Sequence, residues 1–387
     1  MTSYPAPLDG IRVLELGSSV AGPAAARLLG DLGAEVFKVE SGEGDALRAW
    51  GAPAPDGTSW WFKSHNRNKR FVQLDLHDER DRAAVRALAL RCDVVLENFR
   101  PGRLDAWGLG YDALRADHPR VIYASISGYG QDGPYRDRVG FGNIAESMGG
   151  LRYVTGYPDR PPVRVGFSLA DELAALHCVV AILAALHARD RDGTGEYIDV
   201  SLLEASIAIT QGQIPEFDAA GIVRERTGNA HPSVAASSVY PTRDGRWLAI
   251  GANADAIFRR FVRAIGRPEL AEDARYSGNR ERAARGEELD RLIAAWTRTL
   301  DAADAMRVLT EAGVPAGPVN SVAEIVADEQ VRARGVVRRL PDDAGNAVAT
   351  TAPVARFRAR PTVSRHAARA IGADTDAVLA ELGIDRT

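Results

Sequence analysis

The chain has 387 residues, 45% of them hydrophobic and 26% charged, with a formal net charge of −4; this is a folded globular composition, long enough for two or three domains whose cores need no staples. Two cysteines, Cys92 and Cys178, lie in apolar stretches without metal-ligand spacing, which predicts a reducing compartment and no metal centre. There is no basic run for a nucleic-acid backbone, the apolar run 178–186 is about half of a membrane span, and the amino terminus has no apolar signal core, so the reading is a cytoplasmic protein engaging neither nucleic acid nor membrane.

In chain order, an aliphatic run at 11–16, a turn at 17–23 and a helical pattern at 24–32 lead to a second strand at 35–39. The alternation continues with strand 71–76, helix 78–91, strand 93–96, helix 103–117 and strand 120–126. Parallel strands need such crossovers, so the first third predicts an α/β fold with a Rossmann-like doubly wound parallel sheet. Residues 127–166 are rich in Gly, Pro, Tyr and Arg, a loop composition that often carries function. A helix over 169–188, apolar nearly all round, reads as buried. A strand at 197–202 and a helix starting over 206–213 follow. After a turn at 227–232, a two-stranded piece at 239–252 and helical patterns at 256–265, 280–299 and 302–312 predict a smaller α+β domain over 225–322. Residues 1–224 then form the large domain, and 323–387 return to it, closing on a helix at 375–382.

The first βα turn reads GSSVAGP. It lacks the spacing of GxGxxG and the Lys-Ser/Thr of a P-loop, so it predicts neither a nicotinamide nor an ATP site. Asn98, Phe99 and Arg100 follow a strand directly in VVLENFRPG, where open α/β sheets bind ligands; a turn set by Pro101 and Gly102 explains the same letters. Asp171 opens the long apolar helix in RVGFSLADELAALHCVV. It reads either as a first-turn carboxylate in a capping box with Ser168 or as a carboxylate nucleophile at the edge of a loop-rich pocket. His65, His77, His177 and His231 have no spacing with Ser or Cys that makes a triad or a metal cluster.

Taken in order, PLDGIRVLELGSSVAGPAAARLLGDLGAEVFKVE, GDALRAW, NRNKRFVQLDL, VVLENFRPG, RVIYASISGYGQDGPYRDRVGF and the stretch ending at Asp171 resemble the class III CoA-transferases. This is the CaiB/BaiF-type family of formyl-CoA and carnitine-CoA transferases and α-methylacyl-CoA racemases. The resemblance implies a Rossmann-like large domain, a small domain and an interlocked homodimer. It implies an acyl-CoA and a carboxylic acid as substrates, with no tightly bound cofactor. In the transferases the residue matching Asp171 attacks the thioester, giving an acyl-aspartyl anhydride and then an aspartyl-CoA thioester.

Positions that touch CoA in the family match Val20, Ala21, Ser41, Leu74, Asp75, His77, Asn98, Phe99 and Arg100; Trp50, Phe141, Arg164, Gly228 and Asn229 fall about the acyl pocket. Three departures stand out. Val20 and Phe141 replace a Gln and a Tyr of the formyl-CoA enzymes, Ala106 replaces an Arg that serves the nucleotide end, leaving Arg103 or Arg48 to take its place, and 227–231 replaces a glycine-rich loop. Racemases carry a His at the position of Phe141, and a phenylalanine cannot move a proton, so the resemblance favours transfer over racemisation. A dicarboxylic substrate such as succinate suits Arg164 as partner of its distal carboxylate. The rival readings are a 2-methylacyl-CoA racemase and a non-catalytic acyl-CoA-binding protein.

Overall fold

A computed structural model describes residues 4–231 and 233–386. Pro232, in the expected turn 227–232, and the first three residues of the amino terminus lie outside them. The chain forms β1 (Arg12–Leu16), α1 (Ala21–Asp31), β2 (Glu35–Glu40), α2 (Trp60–His65), β3 (Lys69–Gln73), α3 (Glu79–Ala89), β4 (Val94–Glu97), α4 (Arg103–Ala106), α5 (Tyr111–Asp117) and β5 (Ile122–Ser127), then α6 (Gly142–Met148), α7 (Leu169–Asp192), β6 (Tyr197–Ser201) and α8 (Leu202–Ala208). The six strands make one parallel sheet in the order β3-β2-β1-β4-β5-β6. Both faces are apolar, as a covered parallel sheet requires. Val13, Val94, Leu96 and Ile122 pack with α1 and α7, and Leu14, Val95 and Tyr123 pack with α3 and the chain end around Val378.

Two compact units result. The larger holds 4–151, 165–221 and 329–386; the smaller holds Arg152–Arg164 and Ile222–Asp328. The sequence pattern drew the smaller one at 225–322 and left 152–164 in the large domain. That loop is held to the smaller unit by Arg226, which donates to Tyr153 O at 2.8 Å, and by Tyr153 Oη, which donates to Glu225 at 2.6 Å. The smaller unit is an antiparallel sheet of β7 (Ser237–Pro241), β8 (Trp247–Gly251) and β9 (Ala316–Pro318), with helices packed on Leu248, Ile250, Phe258 and Ile293. In the larger unit, the hairpin of β10 (Val337–Pro341) and β11 (Ala347–Thr351) precedes the closing helix Thr375–Glu381.

The expected helix 103–117 is two short ones, because Gly108, at φ +69°, and Gly110 interrupt it. The pattern at 280–299 likewise divides into Asn279–Ala283 and Gly286–Thr297, and the helix expected from 206 is α8, ending at Ala208, followed by Gln213–Ala220. α7 is buried on one face only. Ala174, Cys178 and Ile182 enter the core, while Leu176 and Val180 on the other face are 51% and 65% exposed within this chain. An all-round apolar helix announces burial but not what covers it.

The turn between β1 and α1 is tied along its length by side chains from other elements, most of them buried. Lys38 Nζ donates to Gly17 O at 2.8 Å, and Asn98 accepts from Ser18 N at 2.8 Å and donates to Ser18 O at 2.9 Å. Ser19, in the left-handed region at φ +64°, donates its N–H to Asp45 at 2.9 Å. His65 Nε2 lies 3.1 Å from Val20 O, and Lys69 Nζ donates to Pro23 O at 2.9 Å. The two lysines share Glu15, at 2.9 and 2.7 Å, and Lys38 also pairs with Asp45 at 3.0 Å. All of these ammonium and carboxylate groups are shut off from water. Burial works to raise the Asp45 pKa, but Lys38 and the amide donors outweigh it and leave the carboxyl lowered.

Removing one partner of a buried pair strands the others, so Glu15→Gln should cost about 3–5 kcal/mol, read as the shift of the urea midpoint; a loss below about 1 kcal/mol would show the lysines satisfied without it. Burial, helped by the Arg27 cation, pushes the His65 imidazole down to about 3, so it stays neutral in the fold. Between pH 6.5 and 3 the unfolded chain binds a proton here that the folded chain does not. Stability should therefore fall as pH drops, by about 1.4 kcal/mol per unit from this site, and His65→Gln should flatten that slope in denaturation curves at pH 4 to 7.

Candidate functional site

A cavity of about 170 Å³ opens at the carboxyl ends of the strands. Its walls come from the pinned turn 18–21, the strip Asn98–Pro101 after β4, the end of β5 at 126–128, the loop around Arg136 and 138–141, and Asp171 with Leu202. Asn98 is wedged between Gly17 and Gly22; a Cβ on either would come 3.2 Å from its side-chain amide. The two glycines are thus there for close approach, which is why the turn carries them without a phosphate-binding fingerprint.

Asp171 is half-buried in the first turn of α7. The expected capping box does not form, since Ser168 makes no side-chain cap, and Leu169 N donates instead to the buried Glu146 at 3.2 Å. The Asp171 carboxylate lies against Gly142, at the start of α6; a Cβ there would come 2.0 Å from Oδ2. Carboxylate and cavity wall therefore meet, and the acid faces a space large enough for a small acyl group.

Of the residues singled out from sequence, Val20, Ala21, Asn98, Phe99, Arg100, Phe141 and Asp171 line this one cavity. Ser41, Leu74, Asp75, His77 and Trp50 do not line it. Leu74 is fully buried in the core, and Asp75 accepts from His77 N at 3.0 Å and meets its ring at 3.1 Å. Trp50 is 6.0 Å from Trp61, ring to ring. Arg164, Gly228 and Asn229 belong to the smaller unit, where Gly228 N donates to Gly156 O at 2.9 Å and Asn229 donates to Tyr157 Oη at 3.1 Å. Arg48 is committed internally: Nε and Nη2 bind Glu40 at 2.9 and 2.6 Å while the guanidinium lies 4.0 Å from the Phe62 ring centre. It is not a free cation for a ligand.

Sequence reasoning missed four residues. Trp107 sits between His77 and Phe99, at 5.4 and 5.9 Å, with the Arg103 guanidinium 4.3 Å over its ring. Arg136 and Arg138 join Arg100 at the cavity, and Gly142 clears room for Asp171. The DGPYRDRVGFG stretch held a readable signal, two arginines and three glycines in a loop without apolar period; Trp107 had none, since one tryptophan inside a helical pattern reads as core. Among the described residues, no group of three or more His, Cys, Asp or Glu side chains is placed to hold a metal ion.

The family model for CoA-transferase family III matches residues 8–375. A succinyl-CoA–D-citramalate CoA-transferase from Chloroflexus aurantiacus is 48% identical over 331 residues, covering 85% of this chain and 82% of the relative. A succinate–glutarate CoA-transferase from Agrobacterium fabrum is 38% identical over 98% of this chain and 97% of its own. The crystal structure of a CaiB/BaiF family protein from Brucella suis superposes with a TM-score of 0.88 at 37% identity, covering 98% of this chain and all of that one. With the parallel sheet, the edge cavity and matches across nearly its full length, this chain belongs to CoA-transferase family III and is a CoA transferase.

Proposed function

We propose that the enzyme moves CoA from succinyl-CoA to a short dicarboxylic acid through covalent intermediates on Asp171. The observation that carries this reading is the carboxylate at the wall of a cavity shared with Asn98, Phe99 and Arg100. The similarity to transferases named for succinyl-CoA with citramalate and for succinate with glutarate supports the substrate class. Asp171 attacks the thioester carbonyl, forming an acyl-aspartyl anhydride and expelling CoA thiolate. The thiolate attacks the aspartyl carbonyl, giving an aspartyl-CoA thioester and releasing the first acid. The acceptor carboxylate then attacks this thioester, and the thiolate returns to the new acyl carbonyl, restoring Asp171. Anhydride and thioester are comparably activated, so no step falls into a deep well.

In this reading the thioester end reaches Asp171, the phosphates lie by Arg100, Arg136 and Arg138, and the base extends toward Phe99, Trp107 and His77. Arg103 over Trp107 supplies a cation on the α4 face where Ala106 has none. Phe141 at the cavity offers no proton carrier, which weighs against racemisation. The exposed apolar stripe of α7, with Leu176 and Val180, suits a second copy of this chain, so we assign a homodimer; α7 is also long enough to cross a bilayer, but its opposite face is the core of the sheet. The two buried free thiols suit a cytoplasmic enzyme.

Incubation with succinyl-CoA followed by hydroxylamine should leave a hydroxamate on Asp171, seen by peptide mass. Asp171→Ala should lose on the order of 10⁴-fold or more in turnover, and wild-type transfer by that variant would end the assignment.

A further inference from the structure

A second cavity, of about 380 Å³, opens at the same edge of the sheet and shares Arg100 and Arg136 with the Asp171 cavity. At its floor is Glu97, the last residue of β4, only 5% exposed. Glu97 Oε2 accepts the Phe99 N–H at 2.7 Å, so this carboxyl anchors the strip Asn98–Arg100 from below. The Ser125 hydroxyl also binds it, and Tyr197 Oη donates to Ser125 at 3.3 Å.

The groups that act on the Glu97 carboxyl are acidic or neutral. Asp105 faces it from α4 and Asp199 from β6, with Tyr123 on β5, Tyr111 and Asp112 on α5, and the Cys178 thiol on α7 beyond the sheet. Among the described residues, no Lys, Arg or His forms an ion pair with it, although Arg100 and Arg136 line the same cavity. Burial pushes the carboxyl up to about 7; the hydrogen bonds from Ser125 and Phe99 N oppose the rise, and Asp105 and Asp199 add to it. A buried acid with no ion-pair partner among the described residues therefore sits directly beneath the strip proposed to meet a polyanion.

We infer that Glu97 is a positioning residue that couples a proton to CoA binding: its carboxyl holds the Asn98–Arg100 strip through the Phe99 N–H and takes up a proton when the phosphates of CoA settle on that strip. The inference rests on CoA lying there. The ionised carboxylate repels the phosphates across a low-dielectric floor, whereas the protonated acid keeps one oxygen to accept from Phe99 N and carries no charge. Linkage makes the effect reciprocal, so ionising Glu97 weakens CoA binding by the factor by which bound CoA favours the protonated acid.

Calorimetric titration of CoA at pH 6 and pH 8, in two buffers of different ionisation enthalpy, tests this with Glu97→Gln and Glu97→Ala. The wild type should take up several tenths of a proton more per site than Glu97→Gln at pH 8. Glu97→Gln, neutral but still an acceptor, should bind CoA on the order of fivefold more tightly than wild type at pH 8 and equally at pH 6. Glu97→Ala, which loses the acceptor, should bind more weakly at both. Should Glu97→Gln not fold, Ser125→Ala removes a hydrogen bond to the ionised form and should move the proton uptake to higher pH. Equal uptake in wild type and Glu97→Gln, or the same change in affinity for the Gln and Ala variants, would overturn the inference while leaving CoA binding intact; no CoA binding by the wild type would overturn the location of CoA and the inference with it.

Discussion

The site depends on a buried charge cluster that does no chemistry. Lys38 and Lys69 share Glu15, and their ammonium groups reach Gly17 O and Pro23 O at the two ends of the β1–α1 turn. Burying four ions is expensive, and such clusters seldom add net stability over a packed apolar equivalent. Their contribution is geometric. With Asn98 on Ser18, Asp45 on Ser19 and His65 at Val20, nearly every residue of the turn is fixed by a different element. Ser19 can then hold its left-handed conformation, which a loose turn would abandon.

The lysine usage follows from this. Lys38, Lys63 and Lys69 are the only lysines in the chain, and all three are buried and paired, Lys63 with Asp56 and Asp342 at 2.7 and 2.6 Å. An ammonium is compact and presents three donors in space, so it can satisfy a carboxylate and peptide carbonyls in one tight pocket. Arginine serves where a planar fork is needed, as when Arg67 grips Asp31 through Nε at 2.9 Å and its terminal nitrogen, fastening the end of α1 to the NRNK segment.

Much of this architecture was legible in the letters. Aliphatic runs separated by helical periods specify a parallel sheet, and its carboxyl edge points to Asn98–Arg100. The failures have identifiable causes. Helix 103–117 broke because two glycines outweighed its apolar period, and α7 was read as wholly buried because apolarity carries no label for its partner. Ser41, Leu74 and His77, matched to CoA contacts, lie outside the Asp171 cavity, since chain order along a strand edge does not report which rim a residue occupies. Glu97 was hidden most completely: an acid ending VVLE looks like an ordinary step into a loop, and only the folded sheet shows it closed in by Ser125, Tyr123 and Tyr197.

Two carboxyl groups at one sheet edge thus meet opposite environments, and the difference bears on which could act as nucleophile. Asp171 is half-exposed in the first turn of a 24-residue helix, where the dipole favours negative charge. Gly142 lets a cavity wall approach it without covering it with a side chain. Glu97 sits among strands, under an acidic neighbourhood, and burial raises its carboxyl to about 7. An attacking carboxylate must be ionised and must reach a carbonyl carbon; burial opposes the first and keeps Glu97 from the second. The same burial equips it for the other task, because a carboxyl that titrates near neutrality responds to a charge placed above it, whereas one already fixed as an anion does not.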